Sequence, residues 1–197
     1  EEIDNIQDWH FVCTGSHTIE GEDITCTAVH GYQDLEDALA NSCNCAFASL
    51  AVEMGPKVMK NAVEEFGLTN AYDINGIKTE AGSFSFDTYN INLGWAGIGQ
   101  FEDQVNPVSM MVYAGAIAGG GEAAKPHILM GKDSGNVNLL DGGIAMQLDE
   151  MMRNNVLMTY GDSNYPGLSL RAKSGTAEGG DGKAPDAWFC GYSGDYA

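Results

Sequence analysis

The sequence predicts an α+β fold in which helices and an antiparallel β-hairpin occupy separate parts of the chain. Apolar residues recur at helical spacing from 34 to 67, from 106 to 118 and after Asp141. Near the C-terminus the pattern changes to the period of two that is typical of strands. Helices followed by paired strands indicate an α+β architecture.

The first helical region, residues 34–55, begins with Asp34 as a predicted N-cap. In its middle, "NSCN" (41–44) groups small polar residues that favour caps and turns over helix interiors. We therefore predict two short helices joined by a bend at 41–44. Pro56 is predicted to open a third helix, which ends at Gly67.

The middle of the chain is predicted to be less regular. Residues 70–105 are rich in Gly, Asn, Ser and Thr and are expected to be mostly loop and turn. Long segments of this kind often form binding or catalytic surfaces. Asn106 and Pro107 are the predicted N-cap and first turn of a buried helix that runs to about Ala118, and another amphipathic helix follows Asp141.

Two strands, 169–177 and 186–193, are predicted at the end of the chain, joined by the turn-rich "EGGDGKAP". The first strand contains "KSGT" (173–176). Glycine in a strand lets a ligand approach the backbone, while hydroxyl groups and an ammonium group can bind a carboxylate. The motif is weak by itself, because a lysine on an edge strand also protects a sheet from unwanted pairing.

Composition excludes some classes of function. The 197 residues suit one globular domain or two small lobes. Nine Lys and Arg residues face 28 Asp and Glu residues, and this net charge of −19 argues against nucleic-acid binding, which requires basic surfaces. No uninterrupted apolar run reaches the roughly 18 to 20 residues of a membrane span.

The cysteines leave three interpretations open. His10, Cys13, Cys26 and His30 form an H-x2-C-x12-C-x3-H spacing. A Cys13–Cys26 disulfide is the first expectation, and it would stabilise the fold by roughly 3 kcal/mol in the chain-entropy model. Reduced structural thiols are the second interpretation and a zinc site is the third, so no metal is assigned. The redox state of the compartment would decide between them.

A second short motif gives "KSGT" its significance. Ser42 and Asn44 stand two residues apart at the predicted bend, well before Lys173. A Ser-x-Asn followed by a Lys-Ser/Thr-Gly strand accompanies the nucleophilic Ser-x-x-Lys of penicillin-binding proteins and serine β-lactamases. The sequence resembles a penicillin-binding protein transpeptidase domain from about residue 11 to 195. The segments "GIGQFEDQVNPVSMM" and "DAWFCGY" are similar to further parts of that family.

The resemblance implies a helical lobe beside an antiparallel sheet, with the active site between them. Residues 1–197 are then expected to be a partial transpeptidase domain, truncated at both ends, with the Lys-Ser-Gly motif on a sheet hairpin at 168–193. No lysine has a serine three residues before it, so the nucleophile is expected upstream and the fragment alone is expected to be inactive. An absent N-terminal segment would anchor the protein at the extracytoplasmic face of the bacterial cell membrane.

The resemblance also implies a serine-type acyl transfer from D-Ala-D-Ala stem peptides, without a cofactor. Ser42 would relay a proton, Asn44 would bind the substrate amide, and Lys173 would supply positive potential. The N–H of Thr176 would form half of an oxyanion hole. The implied catalytic residues are Ser42, Asn44 and Lys173, and the implied substrate-binding residues are Ser174, Gly175 and Thr176.

The expected partners are peptidoglycan stem peptides, β-lactam antibiotics and other proteins of cell-wall synthesis. The main alternative is a non-catalytic peptidoglycan-binding or β-lactam sensor module of the same fold. A serine β-lactamase fits less well, since no deacylating glutamate can be assigned, and an acidic zinc-bearing binding domain is the remaining possibility.

Overall fold

The helices and strands follow one another in short elements along the chain. The computed structural model describes residues 6–86, 89–131, 135–178, 182–194 and 196–197. The helices are α1 (Leu35–Ala40), α2 (Asn44–Glu65), α3 (Asn90–Ala96), α4 (Pro107–Ala118) and α5 (Gly142–Asn155). The strands are β1 (His10–Cys13), β2 (Ser16–Ile19), β3 (Glu22–Thr25), β4 (Gly31–Asp34), β5 (Asp73–Ile74), β6 (Ile77–Lys78), β7 (Glu122–Ala124), β8 (Asn136–Asn138), β9 (Arg171–Ala177) and β10 (Asp186–Tyr192).

Each sheet in the described part of the chain is a pair of antiparallel strands. β1 pairs with β4, β2 with β3, β5 with β6, β7 with β8, and β9 with β10. In the β9–β10 ladder, Lys173 lies opposite Cys190 and Thr176 lies opposite Ala187. This ladder confirms the two predicted strands, whereas residues 179–181 of the predicted turn lie outside the described residues.

Side-chain caps begin three of the helices where the sequence predicts them. The Asp34 carboxylate accepts a hydrogen bond from the N–H of Asp37 at 2.9 Å, at the start of α1. The amide oxygen of Asn106 accepts from the N–H of Ser109 at 2.8 Å, and Asp141 caps α5 in the same way. These bonds satisfy backbone donors that a helix leaves without intrahelical partners.

The predicted break near Gly55 is confirmed and divides α2 into two helical parts. Gly55 has φ 77° and ψ 165°, so α2 changes direction there and Pro56 starts its second part. The helix ends just before Gly67, whose φ of 71° suits the left-handed residue that follows many helices. The predicted end of the third helix at Gly67 is therefore confirmed. The second and third predicted helices are the two parts of α2.

The described residues between 70 and 105 are mostly loop and turn, as predicted, but they include short regular elements that the sequence did not indicate. The strand pair β5–β6 and helix α3 both lie in this region. Glycines in and after α3 obscured its helical pattern, but packing requires them. A Cβ on Gly97 would lie 2.3 Å from the Cβ of Ala51, so α3 can lie directly against α2 only with glycine at this position.

Three buried clusters position the elements around the site. The largest joins α4, α5 and β7 with Tyr192 of β10, and a small one lies beneath β9 around Ala172. A third cluster packs β1 against the bend between α1 and α2. Among the described residues, no helix combines the length and the apolar character that crossing a membrane requires.

Candidate active site

Ser42 occupies the bend between α1 and α2 in a left-handed backbone conformation, with φ 49°. Its N–H donates to the carbonyl of Leu39 at 3.1 Å, and the N–H of Cys43 donates to the carbonyl of Ala38 at 2.9 Å. This pair of bonds is the Schellman motif that ends many helices. The motif leaves Ser42 exposed and makes Asn44 the first residue of α2. The predicted bend is therefore confirmed.

Side chains from distant parts of the chain hold both ends of this bend. The hydroxyl of Thr159 donates to the carbonyl of Ala40 at 2.7 Å, at the end of α1. The amide nitrogen of Asn44 donates to the carbonyl of Thr25 at 3.0 Å, at the end of β3. The position of Asn44 relative to the strand pairs is thus fixed by its own side chain.

Lys173 connects strand β9 to the bend. Its ammonium group donates to the hydroxyl oxygen of Ser42 at 2.5 Å and to the carbonyl of Ser174 at 2.7 Å. Burial lowers the pKa of Lys173, an effect that the charge of the Tyr160 phenolate would oppose. The structure thus brings Ser42 and Lys173 together although they are far apart in the sequence.

Tyr160 is a member of the site that the sequence does not indicate. It ends a π-helical turn, Val156–Tyr160, that follows α5. Its hydroxyl accepts from the N–H of Ser174 at 2.6 Å and donates to the hydroxyl of Ser174 at 2.9 Å. Burial raises the pKa of Tyr160, but the bonds to Ser174 and the charge of Lys173 contribute to a net lowering. No short motif surrounds Tyr160, so only the folded geometry identifies it.

One edge of β9 is open in the sense that no strand among the described residues pairs with it, although side chains bind some of its backbone groups. The side-chain amide of Gln100 donates to the carbonyl of Thr176 at 3.1 Å and accepts from the N–H of Glu178 at 3.2 Å. The N–H and C=O of a strand residue project to the same side of the strand. The N–H of Thr176 therefore points to the edge that faces away from β10. Gln100 lies in the predicted "GIGQ" segment but was not predicted as a site residue.

Gly175 leaves space above this edge. A Cβ added to Gly175 would meet only the Cβ of Trp188, at 4.0 Å, which is an ordinary contact. Contacts within the chain therefore do not require glycine at this position. Ser174, Gly175 and Thr176 are all exposed, so a ligand can reach their backbone and hydroxyl groups.

The left-handed conformation of Ser42 gives a first testable expectation. Replacing Ser42 by Gly or by Ala removes the same bond to Lys173, but only glycine relieves the backbone strain. Ser42→Gly is therefore expected to be more stable than Ser42→Ala by about 1 kcal/mol. Urea unfolding of the two variants measures this difference. Equal stabilities, or a more stable Ala variant, would show that the position carries no strain.

The cysteines differ from the first expectation. Cys13 and Cys26 are free thiols, so the predicted disulfide between them is absent. Cys26 Sγ instead lies 3.6 Å from Cys43 Sγ, far beyond the S–S bond length of about 2.05 Å. His10, part of the predicted spacing, packs against Tyr32 with ring centroids 5.0 Å apart and the ring planes tilted by 36°. The bend brings Cys43 into the cluster, and sequence spacing did not show this.

Comparisons with known proteins agree on one family. The penicillin binding protein transpeptidase domain matches residues 2–195. The peptidoglycan D,D-transpeptidase PbpA of Mycobacterium tuberculosis is 25% identical over 174 residues, which cover 81% of this chain and 35% of PbpA. The chain therefore spans about a third of that relative.

Solved structures show the same fold. Penicillin-binding protein A from M. tuberculosis, in a ceftriaxone acyl-enzyme complex, matches with a TM-score of 0.83 and 20% identity, over 93% of this chain and 46% of that one. Penicillin-binding protein PBP2 of Helicobacter pylori, in a complex with MreC, matches with a TM-score of 0.84 and 16% identity, over 95% and 39%.

Proposed function

Because the chain belongs to the family of penicillin-binding protein transpeptidase domains, we propose that the protein containing it is a D,D-transpeptidase. It cross-links peptidoglycan stem peptides by acyl transfer from a terminal D-Ala-D-Ala unit. The contact between Lys173 Nζ and Ser42 Oγ carries the proposal, because it joins two remote motifs beside the open edge of β9. A fixed cation beside a hydroxyl and an open strand edge suits a peptide substrate that ends in a carboxylate.

The nucleophile in this proposal is a serine outside the 197 residues, which contain no Ser-x-x-Lys. Its hydroxyl loses a proton as its oxygen bonds to the carbonyl carbon of the penultimate D-Ala. The peptide C–N bond then breaks, and the terminal D-Ala leaves as an amine that has gained a proton. Ser42 relays that proton, since its hydroxyl lies within hydrogen-bond distance of Lys173.

The second step restores the nucleophile. An amine of a neighbouring stem peptide attacks the acyl ester, forms a new amide bond and releases the serine hydroxyl with a proton. The reaction exchanges one amide bond for another, so it requires neither a redox partner nor a cofactor.

The open edge of β9 supplies the contacts that orient the substrate. The hydroxyls of Ser174 and Thr176 bind the terminal carboxylate, and Lys173 adds positive potential. The N–H of Thr176 points to this edge and forms half of the oxyanion hole, where a single donor is worth about 10²–10³ in rate. The amide oxygen of Asn44 accepts the substrate's backbone N–H, while its amide nitrogen remains bound to the end of β3.

The same chemistry accounts for the proposed ligands and partners. β-Lactams acylate the serine as the scissile peptide does. The structure of M. tuberculosis penicillin-binding protein A with ceftriaxone is described as such an acyl-enzyme complex. Cell-wall synthesis proteins are the proposed protein partners, by analogy with the MreC complex of H. pylori PBP2. Stem peptides lie outside the cytoplasm, so we place the domain at the extracytoplasmic face of the bacterial membrane, anchored by a segment outside these residues.

Covalent labelling with a fluorescent penicillin tests this function. The 197-residue chain is compared with an extended protein that includes the upstream Ser-x-x-Lys, and intact mass reports the adduct. Labelling of the extended protein alone, lost when its serine is replaced by Ala, is the expected result. An unlabelled extended protein that still binds purified peptidoglycan would indicate a non-catalytic module. Labelling of the short chain would contradict the proposed origin of the nucleophile.

A further inference from the structure

Four side chains with metal-binding atoms converge behind the bend. One ligand atom from each of Cys13, Cys26, His30 and Cys43 lies within 4.8 Å of the others. Cys13 ends β1, Cys26 follows β3, His30 precedes β4, and Cys43 is the N-cap of α2. Four separate points of the chain therefore meet at one place, in the spacing C-x12-C-x3-H-x12-C.

We propose that these four residues bind a single zinc ion in tetrahedral geometry. Zinc–sulfur bonds of about 2.3 Å in a tetrahedron place two sulfur atoms about 3.8 Å apart. The sulfur atoms of Cys26 and Cys43 are 3.6 Å apart, close to that spacing. Three thiolates and one imidazole form a set of ligands that is typical of structural zinc sites.

The surroundings of the ligands favour a metal over free thiols. Nδ1 of His30 is buried and has no hydrogen-bond partner within the part of the chain that the structure describes. Unpaired buried polar atoms are uncommon, and a bound metal or ion is one recognised explanation for them. Cys13 and Cys43 are 1% and 0% exposed, so their sulfur atoms are shielded from water.

A backbone donor also points at one of the sulfur atoms. The N–H of Cys45 donates to Cys26 Sγ at 3.3 Å. Such a bond stabilises a thiolate and orients it, as the outer-shell partners of metal ligands do. A disulfide would pair only two of the three clustered sulfur atoms and would leave Nδ1 of His30 without a partner.

The zinc ion would fix the part of the bend that carries the proposed catalytic groups. Cys43 lies directly between Ser42 and Asn44, so a Zn–Sγ bond ties the backbone between them to β1 and β4. Cys43 is then a positioning residue for both side chains. This consequence for acylation rests on the proposed function, whereas metal binding does not.

Metal analysis of the extended protein, purified under reducing conditions with zinc present, tests the site directly. One zinc per chain is expected by inductively coupled plasma mass spectrometry. Cys26→Ser, Cys43→Ser and His30→Ala are expected to lose most of it. Cys45→Ser is the matched control, because Cys45 is equally buried but its thiol donates to the carbonyl of Ile24. Loss of zinc in the control but not in the ligand variants would overturn the assignment.

Cobalt(II) titration requires no substitution and so avoids variants that fail to fold. Binding at the proposed site is expected to give a thiolate-to-cobalt charge-transfer band and intense visible bands of tetrahedral cobalt, which zinc abolishes. Absence of these bands together with less than a tenth of a zinc per chain would overturn the proposal. A mass two hydrogens lower, from a Cys26–Cys43 disulfide in the reduced preparation, would do the same. A protein that binds zinc but is not covalently labelled by the fluorescent penicillin would contradict only the proposed function.

Discussion

Replacing Lys173 by Met in the extended protein is expected to slow acylation by a fluorescent penicillin about 100-fold or more. The ammonium group holds both the Ser42 hydroxyl and the carbonyl of Ser174, and it carries positive charge beside the proposed carboxylate site. Preorganised electrostatic groups of this kind are each worth about 10²–10³ in rate. Methionine keeps the aliphatic length of lysine and removes only the charge and the hydrogen bonds.

The matched control is Lys60→Met, which removes the same charge from the exposed surface of α2, where Lys60 lies 3.9 Å from Glu64. Exposed pairs contribute less than about 1 kcal/mol, so neither acylation nor stability is expected to change noticeably. Stopped-flow measurement of covalent labelling gives the rates, and thermal unfolding shows whether each variant is folded. A folded Lys173→Met protein that acylates at the rate of the parent would contradict the proposed role of Lys173.

Removal of zinc is expected to lower the unfolding midpoint of the extended protein by about 8–16 °C. A ligand present at 1,000 times its Kd stabilises the native state by about 4 kcal/mol, and each kcal/mol shifts Tm by about 2–4 °C in a domain of this size. Scanning calorimetry with and without a strong zinc chelator measures the shift.

Three further readouts separate metal loss from other effects of the chelator. Added zinc is expected to restore the midpoint of the parent protein. The Cys43→Ser variant is expected to have a low midpoint under both conditions, because it lacks one of the four ligands. Acylation should fall together with the midpoint, since Cys43 lies between Ser42 and Asn44 in the bend. An unchanged midpoint in chelator, in a protein shown to have lost its zinc, would contradict a structural role for the metal.

Local signals in the sequence were sufficient for the helix ends and the last two strands. Asp34, Asn106 and Asp141 cap their helices through bonds to backbone groups two or three residues away. Such interactions depend on nearby residues alone, so they can be predicted without the tertiary fold. α3 was missed because Gly97 belongs to a contact with α2, and helix propensity does not describe such contacts.

The amino-acid sequence by itself determined the family, through Ser42, Asn44 and the Lys173 motif in their order, and it determined where most elements begin. Only the tertiary structure decided which side chains meet. Tyr160 binds the edge of β9 from a turn that carries no motif, and Gln100 binds it from a segment whose contact with β9 the sequence did not indicate. Cys43, and not His10, completes the cysteine cluster. The physical reason is that these contacts are short in space but long in sequence. They depend on how separate elements pack against one another, and the spacing of residues within one element gives no information about that packing.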